Sequence, residues 1–90
     1  MYEFRWNWWN FEHIAAHGVL PAQAEFVVNQ PDSGYPQRGE KGKYLVRGQD
    51  QAGTYLQVIY IFDPPGVVYV IHARPLIDIE KRRLRRRRRR

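Results

Sequence analysis

Three stretches in the second half of the chain, KYLVRG, TYLQVIYIF and GVVYVIHAR, are rich in β-branched and aromatic residues and are separated by the turn-forming QDQAG and DPPG. Connections this short predict an antiparallel meander of three strands. The first half reads differently. YEFRW, residues 2–6, alternates aromatic with charged side chains and places Tyr2, Phe4 and Trp6 on one side of a short strand. From Asn7 the period lengthens to that of a helix. Trp8, Phe11 and Ala15 fall at i, i+3 and i+7 with Ile14 beside them, Asn7 is suited to the N-cap, and Gly18 can close the helix in the left-handed conformation. A second helix opens at Pro21, runs through PAQAEFVV and ends at Asn29 and Pro31. Residues 30–42, QPDSGYPQRGEKG, read as a loop with one short edge strand near Tyr35. After Pro75 the segment LIDIEKRRL returns to helix with Asp78 as its N-cap. The order strand, helix, helix, three strands, helix predicts an α+β fold: a small antiparallel sheet with the N-terminal helices on one face.

Length and charge refine this picture. Ninety residues without an internal repeat make one small domain, expected over residues 1–81, followed by an arginine-rich tail over 82–90. Without the eight arginines of residues 82–90, the 15 basic side chains fall to 7 against 9 acidic ones, so the net charge of +6 becomes −2. The body is therefore not basic, and long-range attraction to a polyanion would act through the C-terminus and be salt-sensitive. The absence of cysteine removes disulfides and thiolate zinc sites and fits a reducing cytoplasm. MYEFRWNWWN lacks the basic and apolar regions of a signal peptide, and no apolar run is long enough for a bilayer. A cytoplasmic protein with no membrane association is the expectation.

Hairpin register brings polar groups together. With DPPG as a loop, Phe62 faces Val67, Gln57 faces His72, and Tyr55 lies near Arg74. With QDQAG as the other loop, Gly48 faces Thr54 and Arg47 faces Tyr55. One face then gathers Arg47, Tyr55, Gln57, His72 and Arg74 at one end, completed by Ile59, Ile61, Val68 and Val70. The other face carries Tyr44, Val46, Leu56, Val58, Tyr60, Tyr69 and Ile71 and reads as core. Two guanidinium groups, an imidazole and a phenol suit a phosphodiester: arginine binds phosphate oxygens bidentately at any working pH, and histidine moves a proton near neutrality. The plain alternative is a solvated sheet end with ordinary Arg and Tyr packing.

Other features carry less chemistry. His13 and His17 share a helix face at metal-ligand spacing, but HIAAH lacks the glutamate of a zincin and no thiol is present, so neither a metal nor any other cofactor is expected. His17 instead suits the C-terminal end of the helix. The rings of WNWW could stack unpaired bases; Trp6 and Trp8 are expected in the core, which leaves Trp9 exposed. No Gly-rich phosphate loop, Ser/His/Asp set or carboxylate pair supports a kinase, serine hydrolase or glycosidase.

The segments FRWNWWNFEHIAAHGV, AEFVV, KYLVRG, YLQVIY and VYVIHARPLIDIEKRR together resemble the BrnT family of small ribonuclease toxins with a RelE-like fold. The resemblance runs from Phe4 to about Arg83. Its most specific pieces are His17 and Gly18 closing the first helix, and Ala73 and Arg74 at the end of the last strand, followed by Glu80 and Arg83. It implies the toxin of a type II toxin–antitoxin system, held in a hetero-oligomer by a cognate antitoxin and cleaving RNA, free or ribosome-associated, without a metal. Arg74 would be the phosphate clamp, Arg47 its companion, and His72, Tyr55 or His17 the proton-transfer group. His72 stands where the family commonly has a small residue, and the arginine run exceeds the family's basic last helix. Arg82, Arg83, Arg85, Arg86 and Arg87, with Trp9, are the candidate RNA-binding residues. The rival reading is a non-catalytic module of the same fold that binds RNA or an antitoxin.

Overall fold

The computed structural model describes residues 1–88 and side chains up to Arg87; Arg89 and Arg90, the end of the expected tail, lie outside the described residues. Strand β1 (Glu3–Arg5) is followed by helices α1 (Trp8–Ala15) and α2 (Pro21–Asn29). Strand β2 (Gln37–Arg38) precedes the meander β3 (Tyr44–Gln49), β4 (Tyr55–Phe62) and β5 (Val67–Pro75), and helix α3 (Asp78–Arg88) closes the order. The sheet runs β1-β5-β4-β3-β2. The expected meander is present, but the sheet is mixed and not purely antiparallel, because β1 lies parallel to β5, with Phe4 opposite Val68 and Arg5 opposite Tyr69. A strand that returns through two helices before the meander can reach the far edge in the parallel sense, which a short turn cannot do. The edge strand expected near Tyr35 forms two residues later and pairs with Tyr44 and Leu45.

Asn7 caps α1 reciprocally: its side chain accepts from the Asn10 N–H, and the Asn10 side chain accepts from the Asn7 N–H. Asn10 is fully buried and also donates to the Arg5 carbonyl at 3.1 Å, tying the helix start to the end of β1. The buried stripe is therefore Asn10 and Ile14. The expected stripe through Trp8, Phe11 and Ala15 points outward, and Trp8, expected in the core, is 74% exposed. Once Asn10 faces inward to satisfy backbone groups, residues at i−2 and i+1 must rotate away from the core. Gly18 does close the helix at φ +74°. Helix α2 opens on Pro21, and Gln23 accepts from the Leu20 N–H at 2.8 Å.

Ile14, Val19, Ala24, Val27 and Val28 from the helical layer meet Val46, Leu56, Val58, Tyr60, Val68, Val70 and Ala73 from one sheet face. Gly48 sits on that face under the turn after α2, where a Cβ would stand 3.2 Å from the Gln30 carbonyl oxygen. The register differs from expectation in two ways. In β3–β4 it is displaced by two residues, with Arg47 opposite Gln57 and Gln49 opposite Tyr55, which keeps every side chain on its face. In β4–β5 it begins at Phe62 opposite Val68 and shifts between Ile59 and Tyr60, so that Tyr60 faces Val70 but Ile59 faces His72. Ile71 is the extra residue of a β-bulge. Val68 and Val70, expected outward, are thereby core residues with Tyr60, while Tyr69, expected in the core, faces out.

Helix α3 crosses the 81/82 boundary expected between domain and tail without interruption. Asp78 is its first helical residue and not its cap; the Ile77 N–H donates to Glu80, three residues on. Leu84 is 2% exposed and anchors the helix, with Arg82, Arg83, Arg85, Arg86 and Arg87 exposed around it.

The capping pair and the outward tryptophan separate in a stability measurement. Asn10→Ala strands the Arg5 carbonyl and the Asn7 N–H and should cost about 2 kcal/mol in urea unfolding, whereas Trp8→Ala should stay within about 0.5 kcal/mol. Equal losses for the two would contradict the packing of α1.

Candidate functional site

On the sheet face away from α2, the register sets Arg47, Gln57 and Arg74 side by side on three adjacent strands. Gln57 is buried and holds the Arg47 Nε through its Oε1 at 2.9 Å. Tyr55, expected against Arg47 and Arg74, stands one row further out, opposite Gln49, with the Arg85 guanidinium 5.5 Å from its ring centroid. Ile59 and His72 form the next row inward.

Helix α3 closes over this row through Glu80. Arg74 donates to both oxygens of the Glu80 carboxylate at 2.8 Å, in a bidentate pair, and Arg47 donates to Oε2 at 3.0 Å. Arg74 also donates to the Pro75 carbonyl at 3.1 Å. Hydrogen bonds from Arg74, opposed by burial and aided by the Ile77 N–H and both guanidinium charges, hold the Glu80 carboxyl well below the usual range, at about 2. The same hydrogen bonds raise Arg74, with burial working against them. Two cations and one anion leave a single net positive charge, and both guanidinium planes are fixed.

Beside this cluster, the rings of His72 and His17 meet edge to face with centroids 5.0 Å apart. His72 Nδ1 is buried and has no hydrogen-bond partner among the described residues. Burial, then the neighbouring His17, Arg74 and His13, pushes the His72 imidazole below its ordinary 6.5. It is therefore neutral at pH 7 and able to take a proton. His13 turns toward Trp9, its ring stacked on the indole at 3.9 Å. Among the described residues no group of three or more His, Cys, Asp or Glu side chains is placed to hold a metal.

Four of the five expected chemical residues thus fall within one neighbourhood, Arg47, Arg74, His72 and His17, with Tyr55 at its rim. Trp9 is 39% exposed and stands beside Tyr69, toward the opposite end of α1 from His17. Sequence reasoning passed over Glu80 as a partner of the arginines. Its signal was local: a glutamate three residues after the residue preceding Asp78 sits where it caps the helix and also faces the sheet end. No protein-family model, curated protein or solved structure matches this chain. Among the described residues no helix is long and apolar enough to cross a membrane.

Glu80 sets a pH signature. Its folded pKa lies below the ordinary 4.5, so its contribution to stability is complete above pH 4.5 and disappears as pH falls toward about 2. Glu80→Gln should be less stable than the parent at pH 7, and the difference should close on acidification across that window. A constant difference from pH 7 to pH 2, read by thermal unfolding, would show that the carboxylate charge is not what holds α3.

Proposed function

We propose that the chain is a metal-independent endoribonuclease, the toxin of a type II toxin–antitoxin pair, with the RelE-like fold that the BrnT resemblance implies. The observation that carries the reading is the contact between a neutral, desolvated His72 and His17 immediately beside two oriented guanidinium groups. Such a set supplies every role in cleavage by the RNA's own 2'-hydroxyl. His72 accepts the 2'-OH proton as the oxygen attacks the adjacent phosphorus, and Arg74 and Arg47 stabilise the charge gathering on the phosphoryl oxygens. The bond from phosphorus to the 5'-oxygen breaks, and His17, as the acid partner, gives a proton to that oxygen, leaving a 2',3'-cyclic phosphate. Glu80 is a positioning residue here: it orients both guanidiniums through one edge. The expected element order of strand, helices, meander and basic last helix supports the fold assignment.

The same Glu80 favours a second reading. A carboxylate already bonded to both arginines cancels half their charge, as expected of a structural lock in a non-catalytic module that binds RNA or an antitoxin.

Cleavage of a long RNA by the purified chain with a metal chelator present decides between them. Cutting should persist with the chelator, yield cyclic phosphate ends, and fall roughly 100-fold in both Arg74→Ala and His72→Ala. Its acid limb should lie below pH 6.5 and vanish in His72→Ala, because the group acts in its neutral form. Undiminished cutting by His72→Ala would remove the histidine mechanism, and RNA binding without cutting by any of the three would leave the non-catalytic reading.

A further inference from the structure

Helix α1 runs alongside β5, so Trp9 lies by Tyr69 at one end and His17 by His72 at the other. The rings at the Trp9 end are held in place one by one. His13 Nδ1 donates to the Trp9 carbonyl at 3.2 Å and its ring stacks on the indole. The Tyr69 hydroxyl donates to Asn7 Oδ1 at 3.1 Å, and its ring lies within 20° of parallel to the indole at 6.4 Å. The Arg5 guanidinium stands 4.0 Å from the Tyr69 ring centroid and is fixed in turn by the Asp63 carbonyl and carboxylate. Fixed rings that remain partly open to solvent cost little entropy on binding and add aromatic surface for a base; the guanidinium lying over the Tyr69 ring supplies a cation for phosphate.

We propose that Trp9, His13 and Tyr69, with Arg5 beside them, form a stacking platform for unpaired bases of single-stranded RNA, feeding the strand toward His72 and Arg74. The proposal rests on the ribonuclease reading for its direction along the strand, not for the stacking itself. Trp9 and His17 are eight positions apart, across α1 and the turn that closes it, about 12 Å at the helical rise, a span that a short extended strand bridges. The occupant is nucleic acid by charge complementarity: Arg5 marks one end of the track, and Arg74 with the arginines of α3 marks the other. A duplex hides its base faces in its own stack, so the platform selects single strands.

The test uses the full chain and a fluorescent 2'-O-methyl RNA octamer, which cannot be cut by its own 2'-oxygen, alone and as a blunt duplex. Trp9→Ala should weaken single-strand binding about tenfold and leave duplex binding unchanged, while Trp9→Phe, which keeps a ring, should lose far less. Its dependence on salt should match the parent's, because stacking releases no counterions, whereas Arg85→Ala should flatten it. Trp8→Ala, one residue away and outward, should change neither ligand. Equal weakening of single strand and duplex by Trp9→Ala, no weakening at all, or the same loss in Trp8→Ala would overturn the platform. Because the probe is uncleavable, loss of the Trp9 effect with Arg74-dependent cutting of ordinary RNA removes only the platform; a Trp9 effect without cutting removes only the ribonuclease.

Discussion

An extra residue in β5 decides which side chains can meet. Strand side chains alternate strictly, so in an unbroken β5 the residues sharing a face with Val68 and Val70 would be His72 and Arg74. An imidazole and a guanidinium would then stand in the apolar layer beneath α1 and α2, or the valines would stand in water. The bulge at Ile71 resets the alternation: Val68, Val70 and Ala73 reach the core, and His72 and Arg74 reach the opposite face with Arg47 and Gln57. Core and site are thus compatible on one strand only because its ladder is interrupted between them.

The second constraint is electrostatic. Two arginines in one row of the sheet, on the strands either side of β4, repel, and neither is fully solvated, so an anion between them lowers the energy of both. Glu80 supplies it from α3 and at the same time satisfies the Ile77 N–H at the helix start. One carboxylate therefore links the helix cap, the sheet end and both arginines of the candidate site. It also restrains a helix whose own composition opposes it, since Arg82, Arg83, Arg85, Arg86 and Arg87 fall at i, i+3 and i+4 separations that repel. Burial of Leu84 and the contacts of Arg85 with Tyr55 and of Arg87 with Tyr35 hold the remainder.

The two candidate regions differ in how they are built. The Arg47–Arg74–His72 cluster is partly buried and held by charge, which suits chemistry on a phosphate. The Trp9–His13–Tyr69 surface is open and held by neutral hydrogen bonds, which suits contact with bases. Their junction is the His17–His72 contact, where the end of α1 meets the bulged stretch of β5.

Periodicity and turn chemistry were enough for the element order, because each depends on residues near one another in sequence: the Asn7 cap, Pro21 at a first helical turn, Gly18 at a helix end, and the strand runs parted by QDQAG and DPPG. The pairing of Arg47, His72 and Arg74 on one face was also legible, since a two-residue register displacement preserves the face. Tertiary structure alone decided the rest. The inward turn of Asn10, and with it the exposure of Trp8, follows from backbone groups at the end of β1 that need a partner. The parallel seat of β1 follows from the path of two intervening helices. The bulge at Ile71 and the Glu80 bridge arise from matching a whole apolar layer and a distant helix to one strand. Such matches have no local signature, because the groups that satisfy one another are brought together only when the chain has folded.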